Sequence, residues 1–116
     1  MKETITTIAK WHEETFPDAT MEDQLQKFDE EMEEYERTPT LEELADMFIV
    51  CCGLCRFDLI VAMSYFTIVA TTLNERKELY ASAIFPAKVE EKMAKNRKRV
   101  WEKTPQGNYH HTNEEL

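Results

Sequence analysis

Between Glu30 and Asp46 the chain reads Glu-Glu-Met-Glu-Glu-Tyr-Glu-Arg-Thr-Pro-Thr-Leu-Glu-Glu-Leu-Ala-Asp, a run of carboxylates interrupted once by a turn signal. Pro39 disfavours helix at Thr38, and Thr40 is placed to cap a new helix with Glu43 three residues on. The segment therefore predicts two helical ends facing each other across a short turn. In an antiparallel pair, positions with a constant index sum lie at the same height, so Glu31 falls opposite Asp46 and Glu34 opposite Glu43. Within each helix the i, i+3 spacing sets two carboxylates on one face, about 4.5 Å apart along the axis. Four acids converging on one small volume repel each other and raise each other's pKa. A hard divalent cation such as Mg²⁺ or Mn²⁺ takes oxygen ligands and removes the conflict. Glutamate-rich helix surfaces are often no more than solvated faces. The symmetry of the two motifs about the turn, and their entry into an apolar helix, favour the metal.

The elements that must position these acids follow from periodicity. Ile5, Ile8, Trp11 and His12 share a face of a first helix within residues 1–15. Phe16-Pro17-Asp18-Ala19-Thr20 reads as a loop, with Thr20 capping a second helix, 21–36, through Asp23. Met21, Leu25, Phe28, Met32 and Tyr35 form the apolar stripe of that helix, and Glu31 and Glu34 flank it. A third helix starts near Leu41 and becomes apolar on all sides after Asp46. A chain this short can hardly cover such a helix alone, which predicts a homodimer or homotetramer. Residues 59–73 are rich in β-branched and aromatic side chains, yet a lone strand could not satisfy its backbone, so helix is predicted there too. Pro86 suits the first turn of a last helix reaching Val100, with Val89, Met93 and Val100 inward. Residues 104–116 read as a polar, extended tail after a single domain, 1–103.

With 116 residues, 42% hydrophobic content, two glycines and four prolines, the class is all-α: a helical bundle built around the acidic helix pair and completed by oligomerisation. A net charge of −9 argues against nucleic acid as a general partner. The charge is uneven, because residues 88–103 hold seven basic and three acidic groups, leaving seven basic and twenty acidic for the remainder. No signal-like segment opens the chain, which predicts a cytoplasmic protein. Arg56 and Asp58 interrupt the apolar stretch 47–73 before either part reaches membrane-spanning length, so no membrane is expected. Cys51, Cys52 and Cys55 are read as small buried apolar residues rather than a disulfide or zinc site.

Lys27-Phe28-Asp29-Glu30-Glu31-Met32-Glu33-Glu34 followed by Glu43-Leu44-Ala45-Asp46 resembles the EExxE…ExxD pattern of the MazG-like, all-α nucleoside triphosphate pyrophosphohydrolases. Trp11, Phe16–Thr20 and Gln24–Lys27 upstream, and Lys92–Trp101 downstream, resemble phage and bacterial members of that family. The eight residues between Glu34 and Glu43 make a shorter connection than is usual there. The resemblance implies Mg²⁺-dependent hydrolysis of a (deoxy)nucleoside triphosphate between the α- and β-phosphates, giving a monophosphate and pyrophosphate by attack of a metal-activated water. It implies Glu31, Glu34, Glu43 and Asp46 as metal ligands, and makes Glu30 the candidate to orient or deprotonate the water. Lys27 joins the substrate-binding residues it implies. Lys92, Asn96 and Arg99, at i, i+4 and i+7 of the last helix, could grip phosphate oxygens, or could form a solvated basic face; the resemblance favours phosphate. Trp11 and Trp101 are read as core more than as base-stacking groups, and His110 and His111 as uninvolved.

The alternative is a non-catalytic helical oligomer that binds a nucleotide or a protein. It would tolerate damage to the acidic cluster, yet all five motif positions are acidic. A nucleic-acid mimic would spread its negative charge and would not add a basic helix.

Overall fold

The computed structural model describes residues 2–76, 78, 80–103 and 109–111, with backbone alone from Glu102 onward. Among the described residues five helices follow one another: α1 (Ile5–Thr15), α2 (Met21–Arg37), α3 (Leu41–Leu54), α4 (Leu59–Asn74) and α5 (Ala81–Lys98). Two three-residue strands, β1 (Trp101–Lys103) and β2 (Tyr109–His111), pair antiparallel with Trp101 opposite His111. The helical class is as expected. The C-terminal segment is not simply a tail, because β2 returns to the last residues of the expected domain; residues 104–108 and 112–116 lie outside the described part.

α3 is the axis of the bundle and packs against α1, α2, α4 and α5. Leu44, Ala45, Met47, Cys51, Cys52 and Leu54 are at most 1% exposed, so the all-round apolar helix is covered by its own chain. This corrects the reason given for oligomerisation: the four neighbouring helices suffice to bury the apolar residues of α3 after Asp46, except half-buried Phe48. The uncovered apolar face belongs to α4 instead, where Leu59, Ile60 and Met63 are 60, 73 and 56% exposed. Cys51 and Cys52 are the small core residues expected, and burial pushes the Cys51 thiol up to about 12.

The starts of α1 to α4 are set by side-chain caps. Thr20 Oγ1 accepts from the Asp23 amide while an Asp23 oxygen accepts from the Thr20 amide, a complete capping box. Thr40 Oγ1 accepts from the Glu43 amide at 3.2 Å, but the Glu43 carboxylate does not return the bond and stays available to its surroundings. Thr38, Pro39 and Thr40 make the whole turn between α2 and α3. Arg76 holds this turn from outside, with Nη1 donating to Tyr35 Oη at 2.7 Å and to the Pro39 carbonyl at 2.6 Å.

α4 is helical despite its β-branched content, capped by Asp58 accepting from the Val61 amide at 3.1 Å. α5 departs from expectation at both ends. It begins at Ala81, five residues before Pro86, after Tyr80 adopts a left-handed φ of 69°. Pro86 thus sits in the second turn, where it denies Ser82 a helical hydrogen bond. Val89 and Met93 are buried as expected, whereas Val100, beyond the helix end, is 55% exposed, and Ile5 on α1 is 44% exposed. Glu3 ties the N-terminal segment to α5 by accepting from Arg97 Nε and Nη2, both at 2.9 Å. That bidentate pair holds the Glu3 carboxyl below its usual range.

Candidate functional site

One cavity of about 310 Å³ opens between α1, α2, α3 and α5. Glu31, Glu34, Glu43, Asp46, Lys27, Lys92 and Arg99 form one part of its wall, and Trp11, Phe16, Ala19, Ile49 and Trp101 another. Such a volume is that of a small-molecule site.

The turn between α2 and α3 brings three of the four expected ligands together. Glu31, Glu43 and Asp46 can each present a carboxylate oxygen, all within 4.8 Å of one another. Oxygens about 2.1 Å from one Mg²⁺ lie at most about 4 Å apart, so the three carboxylates would have to draw in slightly to share such an ion. Electrostatics agree. Burial first, then the Asp46 carboxylate, raises Glu31 to about 7, with Lys27 opposing and Glu43 and Glu34 adding. Glu43 is raised by burial and by Asp46, and Asp46 by burial against the pull of Lys92. The protein keeps carboxylates where they repel each other, an arrangement a bound cation would relieve.

Glu34 lines the cavity but does not join the triad; half-exposed, it lies 3.5 Å from Arg37. Glu30 is exposed and outside the cavity wall, 3.7 Å from Lys27, which also lies 3.6 Å from Glu31. The structure therefore does not bring Glu30 to the acids it was expected to assist. The reason is angular: adjacent helix positions point about 100° apart, so Glu31 facing α3 turns Glu30 away.

Lys92, Asn96 and Arg99 all reach the cavity. Lys92 Nζ lies 3.2 Å from Asp46 Oδ2. Asn96 is buried and its Oδ1 accepts from Arg99 Nη1 at 3.1 Å. Arg99 lies just past the end of α5 in extended backbone, not on the shared helix face that spacing implied. Its Nε is buried with no hydrogen-bond partner among the described residues. Such a donor is costly to leave unmade, and an anion in the cavity would satisfy it.

The apolar wall is an edge-to-face aromatic group. Trp11 and Phe16 have ring centroids 5.4 Å apart, Phe16 and Trp101 5.1 Å, and Trp11 and Trp101 6.2 Å. Trp101 Nε1 donates to the Asn96 carbonyl at 3.2 Å, which anchors β1 over the end of α5. The two tryptophans are thus both packed and cavity-lining.

Sequence reasoning missed a buried polar chain at this end. Arg56 Nη1 lies 3.1 Å from His12 Nδ1, His12 Nε2 lies 2.8 Å from Gln24 Oε1, and Gln24 Nε2 donates to the Val50 carbonyl at 3.0 Å. Gln24 was detectable: it precedes Phe28 by four and Glu31 by seven, so it falls on the inward face of α2. Arg56 gave no such signal, since its reach across to α1 depends on the loop after α3. Gly53 is required here, because a Cβ on it would meet Gln24 Nε2 at 2.4 Å and His12 Cδ2 at 2.9 Å. Gly53→Ala gains about 1 kcal/mol of helix propensity but must displace two ordered side chains at about 1–3 kcal/mol. Net destabilisation is expected in urea unfolding, and a stabilised variant would contradict the packing.

His12 also sets an acid response. Burial pushes its pKa from 6.5 down to about 4, with the Gln24 bond opposing and the Arg56 charge adding. The unfolded chain then binds more protons between pH 6.5 and 4, so this stability is present at neutral pH and lost as pH falls through that window. The full loss is on the order of 3 kcal/mol. Urea midpoints at pH 7, 5.5 and 4.5 are expected to fall more steeply for wild type than for His12→Gln; parallel slopes would rule the effect out.

No family model, curated protein or solved structure matches the chain. Among the described residues, no helix is long and apolar enough to cross a membrane.

Proposed function

We propose that this chain hydrolyses nucleoside triphosphates, deoxynucleotides included, between the α- and β-phosphates to a monophosphate and pyrophosphate, with Mg²⁺ or Mn²⁺ as cofactor. One observation carries the reading: the carboxylate triad Glu31, Glu43 and Asp46 faces Lys92 and Arg99 inside a cavity that continues into an aromatic wall. A polyanion delivered with a hard cation, and carrying a flat ring, matches that sequence of surfaces. When bound, the ion neutralises phosphate charge and lowers the pKa of a water molecule.

The chain's own residues do the rest. Glu31, Glu43 and Asp46 would hold the ion, and Glu34 lines the same cavity, half-exposed. Lys92, 3.2 Å from Asp46, would be free to pair with a phosphate oxygen if the acids had another counter-ion. Arg99 supplies its unmatched Nε donor, and the aromatic wall excludes water from the neighbouring end. The reading follows the resemblance of the acidic motifs to those of MazG-like pyrophosphohydrolases; here three residues connect the acidic helices.

The reading is tested by pyrophosphate release from each of the eight common NTPs and dNTPs with and without Mg²⁺. Release that requires the metal is expected for at least one. Folded, metal-supplied protein that turns over none of them would overturn it.

The homo-oligomer belongs to the same reading. From Leu59 to Asn74 α4 carries no charged residue, in a chain of net charge −9. Ile60, Met63 and Thr67 line its exposed side. This face lets two copies approach without bringing like charges together, and its exposed apolar groups gain from burial. Light scattering is expected to show a dimer or tetramer, and Ile60→Glu with Met63→Glu a folded monomer. A monomeric wild type would dismiss the interface.

A further inference from the structure

We propose that Gln24 is the residue that discriminates between nucleobases in this cavity, and that His12 and Arg56 are positioning residues that fix its amide. The inference rests on the triphosphate reading, since it assigns the base to the end of the cavity that the phosphates leave free.

Apart from Asp23, which lines the cavity beside Gln24, the charged lining side chains lie at the Glu31 end, so a triphosphate bound there directs its ring toward Trp11, Phe16 and Trp101. Gln24 lies on the same face of α2 as Glu31, two turns earlier and about 10 Å along the axis. That is the order of distance from an α-phosphorus to the far edge of its base. Gln24 lines the cavity yet is only 5% exposed, so its amide is buried and its hydrogen bonds are decided by the protein.

The direction of those bonds follows from chemistry. Arginine donates only, so Arg56 Nη1 must donate to His12 Nδ1, and the imidazole proton must sit on Nε2. His12 Nε2 then donates to Gln24 Oε1, which places the amide nitrogen toward the Val50 carbonyl, 3.0 Å away. Arg56 is itself locked by donating to the Phe16 carbonyl at 2.8 Å and by lying 4.6 Å from the Phe57 ring centroid. One hydrogen and one acceptor site of the amide remain uncommitted among the described residues. The chain therefore holds one donor and one acceptor in a set orientation between the aromatic wall and the Asp23 carboxylate. A site of that kind rejects a ring that cannot match it, because the mismatch leaves a buried polar group unpaired.

The experiment is kcat/KM by pyrophosphate release for dATP, dGTP, dCTP and dTTP with Mg²⁺, in wild type, Gln24→Met, Gln24→Glu, His12→Leu and His12→Gln. Wild type is expected to prefer one base. Gln24→Met should reduce the ratio of best to worst base by about tenfold or more, chiefly by loss on the best base. Gln24→Glu keeps the acceptor for His12 and replaces the donor, so it should change the order of preference even if the methionine variant folds poorly. His12→Leu should behave as Gln24→Met, while His12→Gln, whose amide nitrogen takes the Nε2 position, should recover most of the discrimination. Variants that slow all four substrates equally would reduce the chain to a structural brace and overturn the proposal, as would a wild type indifferent to the base. A wild type inactive on these four and on the four common NTPs would remove the triphosphate reading, and the proposal with it; one active on NTPs alone is compared across those four bases instead.

Discussion

Glu31→Gln is expected to abolish metal-dependent pyrophosphate release while leaving the metal-free protein at least as stable as wild type. Loss of a ligand from a three-carboxylate site should lower turnover by at least about a hundredfold. The stability arm follows from the sign of the shift. Glu31 is raised from 4.5 to about 7 in the folded state, chiefly by burial and then by Asp46, so folding favours its protonated form. As pH rises from about 4.5 through 7 the folded state loses stability, and above 7 the whole penalty is present, on the order of 3 kcal/mol. Glutamine carries no charge and escapes it, although Lys27 loses a partially exposed partner 3.6 Å away, a small term. Thermal unfolding in EDTA at pH 8 should therefore favour the variant, and the difference should vanish near pH 4. Mg²⁺ or Mn²⁺ should raise the Tm of wild type alone. Retained turnover, or a metal-induced Tm shift in the variant, would dissolve the site as assigned.

The second large effect is structural. Phe28 is 0% exposed and sits edge-on to Tyr65 with ring centroids 4.7 Å apart. It is the fully buried apolar side chain of α2; Met21, Leu25, Met32 and Tyr35 are only half-buried. Phe28→Ala removes both the transfer energy and the filled volume, about 3–5 kcal/mol. Against a total of about 5–15 kcal/mol this leaves a marginal fold, and Tm should fall by about 10–20 °C. Glu31 follows Phe28 by one helical turn, so a loosened α2 also carries Glu31 away from Glu43 and Asp46. Calorimetry with and without Mn²⁺ should show both the lower Tm and a smaller metal-induced rise. Phe28→Leu, which keeps most of the volume, should recover most of each. An alanine variant within about 1 kcal/mol of wild type would mean that α2 is held by something else.

Neither effect could be sized from the sequence, though the positions were visible in it. The stripe Met21, Leu25, Phe28, Met32, Tyr35 was correct as a face, but periodicity cannot rank its members. Which one is enclosed depends on α4, whose Tyr65 closes over Phe28 from 37 positions away. The same holds for Ile5 and Val100, apolar residues at element ends that neighbours do not reach.

What the sequence determined by itself is local: five helices, the caps at Thr20 and Thr40, the Pro39 turn, and the facing of acids on α2 against acids on α3. These follow from dihedral preference, side-chain caps and the 3.6-residue period, which act over a few residues, except α4, whose β-branched sequence was read as helix only because a lone strand would lack a partner. Tertiary structure alone decided which acids meet: Glu31, Glu43 and Asp46 do, whereas Glu34 stays at the rim and Glu30 faces outward. It also decided that α3 is covered by its own chain while α4 is not, that Pro86 lies inside α5, and that Arg56 reaches His12 across 44 residues. Those outcomes depend on how helices rotate and pack against partners distant in the chain. A rotation of one residue, about 100°, is enough to exchange a ligand for a solvated carboxylate.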